Sequence, residues 1–388
     1  MSRNRIRRIH KDAFENRNSD REESGELSDD SLLSFRVNAP GRVCLFGEHS
    51  DYLGLDVIAA AIDMSIELVA TPREDNVISV NYLDLNTIDD FSLDAEIQYR
   101  TQRDYIRSAF NVMARKGISP KHGWDLHVRG TIPIAAGLSS SSAMTVAAIR
   151  AILEMSEESL PPEELALRAY DSEVAEFGES GGTMDHYAST VGGVIHVNTV
   201  ENRVTKLASE LDSFVIGDSR EQKEDTVGDL RYIRTTVEAE YEKIEGQIQS
   251  FDRRTTPVNR VYELHETTLS KERNMAEATL RNRDLTGRAF RLLSVPTPDN
   301  TELGAMLKEH HEILRDDLDR STPKIERMIA AAYDAGALGC KINGSGGGGS
   351  MMAYAVGCEQ EVALAIERAG GTAYIVRVGK GVTLSRTI

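Results

Sequence analysis

The sequence predicts an α+β protein with two domains behind a charged N-terminal tail. At about 150 residues per domain, a chain of 388 residues is long enough for two to three domains. Short apolar runs separated by Gly-rich and Pro-rich turns dominate the first half, whereas long charged helical segments follow from about residue 206. We therefore predict a tail over residues 1–34, a first domain over residues 35–205 and a second over residues 206–388.

Residues 1–34 mix basic and acidic side chains and contain few large apolar groups. Such a segment cannot bury enough apolar surface to offset the entropy lost on ordering, so we predict a disordered charged tail. Its first eleven residues are basic, as in an organellar targeting peptide, but acids begin at Asp12 and the apolar stretch of a secretory signal is missing. The tail therefore argues against secretion and leaves an organellar address as a lesser alternative.

In the first domain, extended runs alternate with turn-forming residues. A strand over residues 35–37 is followed by a loop at residues 39–41 and a second strand over residues 43–46. A buried helix is predicted over residues 143–155, which are apolar on nearly all sides, and another over residues 162–177, which opens with prolines and acids. Further strands are predicted over residues 56–69, 77–82, 125–128 and 194–197.

The second domain begins with a strand candidate at residues 214–216. Long charged helices are then predicted over residues 231–248, 263–282 and 300–318. The chain closes with strands over residues 340–342, 351–356 and 373–378 and a helix over residues 359–369. This order of strand, helix and strand indicates a further α+β layer.

Charge and composition exclude several classes of function. The net charge of −17 would repel a nucleic-acid backbone, which argues against a DNA-binding or RNA-binding protein. No stretch approaches 18 consecutive apolar residues, so we predict no membrane span. Cys44, Cys340 and Cys358 are too few and too far apart for a zinc cluster or a disulfide framework. We therefore expect a protein of the reducing cytoplasm.

The first motif with chemical potential lies in residues 40–54. Glu48, His49 and Asp51 supply two carboxylates and an imidazole within four residues, just after a predicted strand. This set suits hydrogen bonding to a ligand with several hydroxyl groups. By composition alone, such a segment is more often a solvated turn between strands. Metal binding by these three side chains is less common still, because the sequence offers no second cluster of metal-ligating residues.

The second motif is a glycine followed by four hydroxyl side chains at the start of a predicted helix. A helix N-terminus presents unpaired backbone N–H groups and a partial positive charge, so it can hold phosphate without lysine. A serine hydroxyl could also reach a Mg²⁺ ion between phosphates. A plain helix cap needs only one serine, but on this pattern alone a phosphate-binding loop and a plain cap both stay open. The residues are Gly137, Leu138, Ser139, Ser140, Ser141 and Ser142.

The third motif places five glycines within residues 344–349. Gly344, Gly346 and Gly349 match G-x-G-x-x-G, but the dinucleotide-binding signature needs a helix there, and residues 351–356 predict a strand. The run indicates backbone that approaches another loop or a ligand closely, with a flexible linker as the lesser alternative. The pattern G-x-x-x-x-G-K-[ST] does not occur in the sequence, which excludes the P-loop class.

A fourth segment places Asp185 and His186 in a Gly-rich turn. The preceding predicted helix carries Glu173 and Glu176. Either Asp185 or His186 could act as a base, but each alone is more often a capping or surface group. Composition does not choose between these roles.

Taken in chain order, the four segments resemble the motif pattern of the GHMP small-molecule kinases, a family that includes galactokinase, homoserine kinase, mevalonate kinase and phosphomevalonate kinase. The resemblance covers residues 36–356. It implies an ATP- and Mg²⁺-dependent kinase with a ribosomal protein S5 domain 2-like N-terminal domain and a ferredoxin-like C-terminal domain. Within the family, Glu48-His49-Ser50-Asp51-Tyr52 is similar to the galactokinase signature, whereas mevalonate kinases usually lack the Asp-Tyr pair. The resemblance therefore favours a sugar substrate.

The resemblance also implies catalytic roles for two residues. Asp185 would take or orient the proton of the acceptor hydroxyl, and Arg42 would sit near it and keep it ionised. An aspartate held ionised by an arginine is a weak base. Its contribution would therefore be largely electrostatic and orientational, with positioning and phosphate neutralisation supplying most of the catalysis.

Binding roles follow from the same resemblance. Glu48, His49 and Asp51 would form hydrogen bonds with the sugar hydroxyls, and residues 137–142 would wrap the ATP phosphates. The expected Mg²⁺ ligands are Ser141 and Glu173, with Glu176 as the alternative glutamate.

Two departures from the galactokinase pattern leave the sugar open. The middle segment of galactokinases carries a tyrosine near the sugar, and residues 217–226 contain none. The glycines at residues 344–349 also look closer to those of mevalonate and heptose kinases. We expect transfer to the anomeric hydroxyl of galactose or of a related hexose, pentose or uronic acid. A mevalonate-type kinase and a catalytically silent sugar and ATP sensor are the alternatives, and we expect a monomer or homodimer.

Overall fold

The computed structural model describes residues 33–133, 136–222, 225–264 and 270–386. From Ser34 onward the described residues form one compact unit. The predicted tail lies outside the described residues, except for its last two positions. The division of the remaining chain into domains near residue 205 stays a prediction.

The strands of the described residues form two sheets. Their bounds are β1 (Phe35–Phe46), β2 (Val57–Pro72), β3 (Val77–Tyr82), β4 (Thr87–Ser92), β5 (Trp124–Gly130), β6 (Val194–Asn198), β7 (Arg203–Lys206), β8 (Ser213–Asp218), β9 (Gly339–Asn343), β10 (Ser350–Tyr354), β11 (Thr372–Arg377) and β12 (Thr383–Arg386). The larger sheet has the order β12-β1-β2-β5-β3-β4, with β6 pairing with β2 and β7 with β6. The smaller sheet has the order β11-β8-β10-β9 and is antiparallel throughout. The strands predicted from the sequence are confirmed, whereas β4, β7 and β12 were not predicted.

One predicted loop is wrong, because β1 runs unbroken through the Pro-Gly pair at residues 40–41. Pro40 pairs with Ser65 of β2, and the register shifts before Arg42. A Cβ at Gly41 would lie 2.6 Å from the carbonyl oxygen of Leu138. The glycine therefore marks an irregularity in a strand, where another loop packs closely, rather than a reversal of the chain.

Helices cover both sheets. Their bounds are α1 (Tyr105–Ala114), α2 (Ser140–Met155), α3 (Pro162–Tyr170), α4 (Met184–Val191), α5 (Thr226–Glu245), α6 (Val258–Tyr262), α7 (Lys271–Leu293), α8 (Asn300–Glu312), α9 (Pro323–Asp334) and α10 (Glu359–Arg368). As predicted, α2 is largely buried, and it packs on β1 and β2. No helix in the described ranges has the length and apolar character needed to cross a membrane. The arrangement confirms the predicted α+β class.

Three predicted helices differ from the structure. The helix predicted over residues 300–318 ends as an α-helix at Glu312 and continues as one π-helical turn, Ile313–Asp317. The helix predicted over residues 162–177 ends as an α-helix at Tyr170 and continues as one π-helical turn, Asp171–Ala175. The helix predicted over residues 263–282 is displaced, because α7 begins only after Ser270 and runs to Leu293. The Ser270 hydroxyl accepts a hydrogen bond from the backbone N–H of Arg273, which fixes that start.

Candidate active site

A cleft of about 790 Å³ opens where the sequence motifs meet. Its wall includes the residues before α2, the π-helical turn after α3 and the start of α4. The site residues predicted from the sequence all line it: Arg42, Glu48, His49, Asp51, Gly137, Leu138, Ser139, Ser140, Ser141, Ser142, Glu173 and Asp185. The fold thus brings together motifs that are far apart in the chain.

An ion pair between Arg42 and Asp185 lies in the cleft wall. Arg42 Nε and Nη2 donate to the two carboxylate oxygens at 2.6 and 2.8 Å, a fork geometry that fixes both side chains. Arg42 projects from β1 and is 5% exposed, and Asp185 lies in the first turn of α4. Ser139 Oγ donates a third hydrogen bond to Asp185, at 2.5 Å.

Opposing effects set the pKa of Asp185. Burial favours the neutral acid and would raise the pKa, but the charge of Arg42 and hydrogen bonds from Arg42 and Ser139 favour the anion. The balance holds the pKa of Asp185 below its usual value. This carboxylate is therefore ionised at neutral pH and is suited to orienting and polarising a hydroxyl group.

The serine loop (residues 137–142) leads directly into α2. Ser139, the residue before the helix, has a left-handed backbone with φ of 60°, which costs free energy for a residue with a Cβ. Its hydroxyl bonds to Asp185, and no side-chain hydrogen bond from this residue caps the helix. The first N–H groups of α2 are thus left for a ligand in the cleft.

The glycine run (residues 344–349) packs closely against the serine loop, as its composition predicts. A Cβ at Gly344 would lie 3.0 Å from the carbonyl oxygen of Gly137, and Gly344 has φ of +78°. The same carbonyl accepts hydrogen bonds from Asn343 Nδ2 and from Arg42 Nη1, both at 2.8 Å. The run is therefore a packed wall beside the cleft rather than a linker.

Of the two glutamates considered as metal ligands from the sequence, only one lines the cleft. Glu173 lies in the π-helical turn, is 8% exposed and lines the cleft. Its Oε2 shares a hydrogen bond of 2.7 Å with His186 Nε2, and its Oε1 has no hydrogen-bond partner among the described residues. Glu176 is held by Arg115 and does not line the cleft. Glu173 is thus the one with an oxygen to offer a ligand.

The donor set around Glu173 fits a Mg²⁺ ion bound together with phosphates. In the described part of the chain, no group of three or more His, Cys, Asp or Glu side chains could hold a metal ion by itself. Mg²⁺ at phosphoryl-transfer sites keeps several waters and usually takes only one or two carboxylates besides phosphate oxygens. Ser141 and Glu173 offer oxygen donors in the wall of one cleft, which meets this requirement.

The Glu-His segment (residues 47–52) forms another part of the cleft wall. His49 has φ of 64°, and its Nδ1 shares a hydrogen bond of 2.8 Å with Tyr52 Oη. Asp51 Oδ1 accepts from the Tyr52 backbone N–H at 3.0 Å. A Cβ at Gly182 would lie 2.0 Å from Asp51 Oδ2, so only glycine leaves room for this carboxylate.

Asp51 and Asp185 form a pair of interacting carboxylates. Burial and then the negative charge of Asp185 raise the pKa of Asp51 to about 6, against smaller opposing effects of backbone N–H groups and Arg42. Asp185 stays ionised because Arg42 holds it so. Asp51 is therefore the member of the pair that takes up a proton close to neutral pH.

Asp51→Asn is expected to stabilise the unliganded protein at pH 8. Because the pKa of Asp51 rises from 3.8 to about 6 on folding, its charge costs the folded state roughly 3 kcal/mol above about pH 6. At pH 4 the acid is neutral in the folded state and about half ionised in the unfolded state, so most of the cost has disappeared. Urea unfolding should give a higher midpoint for the variant at pH 8 and a much smaller difference at pH 4. Equal midpoints at both pH values would contradict the pKa assigned to Asp51.

Glu48 is held by the protein on both carboxylate oxygens. Lys341 Nζ of β9 donates to Oε2, and the backbone N–H of Gly344 donates to Oε1. The side chains of Glu48 and Lys341 are 4% and 0% exposed. Although Glu48 lines the cleft, its charge is directed at these partners.

Several residues of the site were missed by sequence reasoning. Arg103 and Glu179 line the cleft and form an ion pair with 2.6 Å between Arg103 Nε and Glu179 Oε1. Tyr105 also lines it. Their segments carry no motif that would have identified them. Lys341 did leave a signal, because it is a lysine within a short apolar strand directly before the glycine run.

Acidic side chains outnumber basic ones in the described wall of the cleft. The acids are Glu48, Asp51, Glu173, Glu179 and Asp185, and the bases are Arg42 and Arg103. Such a wall disfavours a bare polyanion and suits a nucleotide that arrives with a divalent cation.

Family models match both halves of the chain. The model described as the GHMP kinases N terminal domain matches residues 104–193, which contain the serine loop and Asp185. The model described as GHMP kinases C terminal matches residues 289–367, which contain the glycine run. The galactokinase galactose-binding signature matches residues 28–72, which contain the Glu-His segment.

Known proteins of two activities are similar over most of the chain. Mevalonate kinase of Pyrococcus abyssi is 30% identical over 356 residues, covering 89% of this chain and 95% of that protein. Galactokinase of Haemophilus influenzae (strain PittGG) is 24% identical over 351 residues, covering 84% and 86%. The two activities thus both occur among relatives that extend through nearly the whole sequence.

Solved structures of the same two activities share the fold. Lactococcus lactis galactokinase complexed with galactose superposes with a TM-score of 0.79 at 20% identity, covering 92% of this chain and 96% of that one. Methanococcus jannaschii mevalonate kinase superposes with a TM-score of 0.68 at 20% identity, covering 91% and 100%. At these identities the likeness establishes the fold alone.

Proposed function

Since this chain belongs to the GHMP kinase family, we propose that it transfers the γ-phosphoryl group of ATP to a monosaccharide hydroxyl. The chain is an ATP-dependent small-molecule kinase that uses ATP with Mg²⁺, as its relatives do. The acceptor we propose is the anomeric hydroxyl of galactose or of a related sugar or uronic acid. The match of residues 28–72 to the galactose-binding signature supports this choice.

The observation that carries the proposal is the adjacency of Asp51 and Asp185 in one cleft. A sugar carries hydroxyl groups on neighbouring carbons, and each can donate a hydrogen bond to a carboxylate. The acceptor hydroxyl would donate to Asp185. Neighbouring hydroxyls would bind Asp51 and His49, which lie in the same segment of the wall.

The arrangement supports a mechanism that depends on positioning. Asp185 would orient the acceptor hydroxyl and take its proton as the new bond to phosphorus forms, while Arg42 keeps Asp185 ionised. The N–H groups at the start of α2 and the serine hydroxyls would hold the phosphates. Ser141 and Glu173 would hold Mg²⁺, which would supply positive charge to the phosphate oxygens during transfer.

Mevalonate is the second candidate acceptor, and the 30% identity to mevalonate kinase of Pyrococcus abyssi favours it. Its carboxylate would need a cation in the acceptor region. In the described wall of the cleft, the cations are Arg42 and Arg103, and each is already paired with a carboxylate. A uronic acid carries the same charge, so by this argument we prefer a neutral sugar to either acid.

An assay of ADP release with a panel of acceptors tests the proposal. ATP and Mg²⁺ would be supplied with galactose, other hexoses, pentoses, uronic acids or mevalonate. We expect turnover with a sugar, none above background with mevalonate, and a sugar KM raised about ten- to a hundred-fold by Asp51→Asn. Turnover confined to mevalonate would contradict the proposal.

The same assay addresses a catalytically silent sensor. Arg42, Asp185 and the serine loop are all present and assembled, which favours catalysis over sensing. A sensor would bind ATP and sugar in calorimetry but release no ADP with any acceptor. We expect ADP release instead.

A further inference from the structure

The buried ion pair between Glu48 and Lys341 joins two motifs that are 293 residues apart in the sequence. Lys341 Nζ also donates to the carbonyl oxygen of Cys44 in β1, at 2.9 Å. The ammonium group thus has two acceptors, one in β1 and one in the Glu-His segment that follows it. Both charges are almost fully removed from water, where an ion pair depends on close contact and full hydrogen bonding.

The two carboxylate oxygens of Glu48 are both engaged by protein donors, Lys341 Nζ and the Gly344 N–H. The backbone carbonyl of Glu48 accepts a further hydrogen bond, from Asn282 Nδ2 at 2.9 Å. A sugar hydroxyl would have to compete with a buried ammonium group for this carboxylate. Such competition is unfavourable, because it would weaken the compensation of a buried charge.

A continuous set of contacts leads from this pair to the ion pair of Arg42 and Asp185. Gly344, which donates to Glu48, lies against the Gly137 carbonyl, with 3.0 Å from a Cβ position to that oxygen. The Gly137 carbonyl accepts from Arg42 Nη1, and Arg42 holds Asp185. A shift of Gly344 would therefore displace the serine loop and the guanidinium that orients Asp185.

From these contacts we propose that Glu48 and Lys341 are positioning residues, which fix the Glu-His segment and the glycine run relative to the serine loop. This role replaces the direct sugar contact expected for Glu48 from the family resemblance. The proposal deepens the proposed function and rests on it for the catalytic readouts. The test of the proposal by ATP binding does not depend on which acceptor the enzyme uses.

Three variants test the role: Glu48→Gln, Lys341→Met and the double variant. Each single change leaves one charge buried without its partner, so we expect about a 10²-fold loss of kcat from misplacement of Asp185. The sugar KM should change much less than kcat. In the double variant no unpaired charge remains and the amide oxygen can still accept from Gly344, so kcat and the unfolding midpoint should recover well above those of Lys341→Met.

A control pair outside the cleft, with a more exposed lysine, and a conservative variant complete the design. Lys243→Met breaks a Lys-Glu pair on α5, with Glu240, outside the cleft, and should leave kcat unchanged. Lys341→Arg keeps the charge and should retain more activity than Lys341→Met. Equal losses in these two Lys341 variants would contradict the need for an ion pair.

Calorimetry of ATP binding with Mg²⁺ and no acceptor separates this proposal from the proposed function. We expect both single variants to bind ATP about ten-fold more weakly, because the glycine run supports the serine loop. Unchanged ATP binding in both single variants would contradict the proposal. If Glu48→Gln raises only the sugar KM, and adding Lys341→Met does not restore that KM, Glu48 is a sugar ligand and the proposal is wrong. If no acceptor is turned over, the proposed function fails while the ATP result still decides the role of the pair.

Discussion

Asp185→Asn is expected to lower kcat by about 10²- to 10⁴-fold. The amide has nearly the shape of the carboxylate but lacks the negative charge that orients the acceptor hydroxyl and takes its proton. It also leaves Arg42 without its ion-pair partner. Steady-state assays of ADP release at saturating ATP and acceptor would measure the loss, at a temperature well below the unfolding midpoint of the variant.

The matched control for this change is Asp90→Asn. Asp90 is an exposed residue of β4 and does not line the cleft, so the same chemical replacement should leave kcat within two-fold or so. If Asp185→Asn also stays within a few-fold of the parent protein, Asp185 does not carry the catalytic role and the mechanism is wrong.

Arg42→Met is expected to lower kcat by about 10²- to 10³-fold and to change its dependence on pH. Arg42 opposes the effect of burial on Asp185, so its removal raises the pKa of that carboxyl. Activity requires the ionised form and is lost as pH falls through this pKa. The acidic limb of the profile of kcat against pH should therefore move to higher pH in the variant, and less so in Arg42→Lys, which keeps the charge.

Arg107 provides a matched control for Arg42. It is 5% exposed and makes the same fork-shaped pair, with Asp89, outside the cleft. Arg107→Met should lower the unfolding midpoint but leave the pH profile in place. If Arg42→Met and Arg107→Met behave alike in kcat and pH dependence, Arg42 contributes to stability only.

Much of the fold follows from local sequence patterns. The alternation of β3 and the apolar character of α2 depend on side chains close together in the sequence, and both elements were predicted with nearly correct bounds. The loop predicted at residues 39–41 was wrong, because Gly41 instead gives room for the backbone of Leu138, almost a hundred residues later in the chain. Long-range packing of this kind leaves no local pattern.

The same distinction applies to the site. Local motifs identified the serine loop, the Glu-His segment and Asp185, and the family resemblance linked them in one site before any geometry was available. The resemblance favoured Glu173 as a metal ligand but left Glu176 as an alternative, since their separation depends on a π-helical turn that brings Glu173 to the cleft wall. Lys341 and Gly182 act through contacts with distant residues, Glu48 and Asp51, which only the folded chain reveals.

Identification of the phosphorylated product by NMR tests the central claim most directly. The protein would be incubated with ATP, Mg²⁺ and, in separate samples, each acceptor of the panel. We predict a sugar phosphate whose phosphorus couples to the anomeric proton, formed in step with ADP and strongly reduced with Asp185→Asn. Phosphorylated mevalonate as the only ester formed across the acceptor panel, or inorganic phosphate with no sugar ester, would contradict the account.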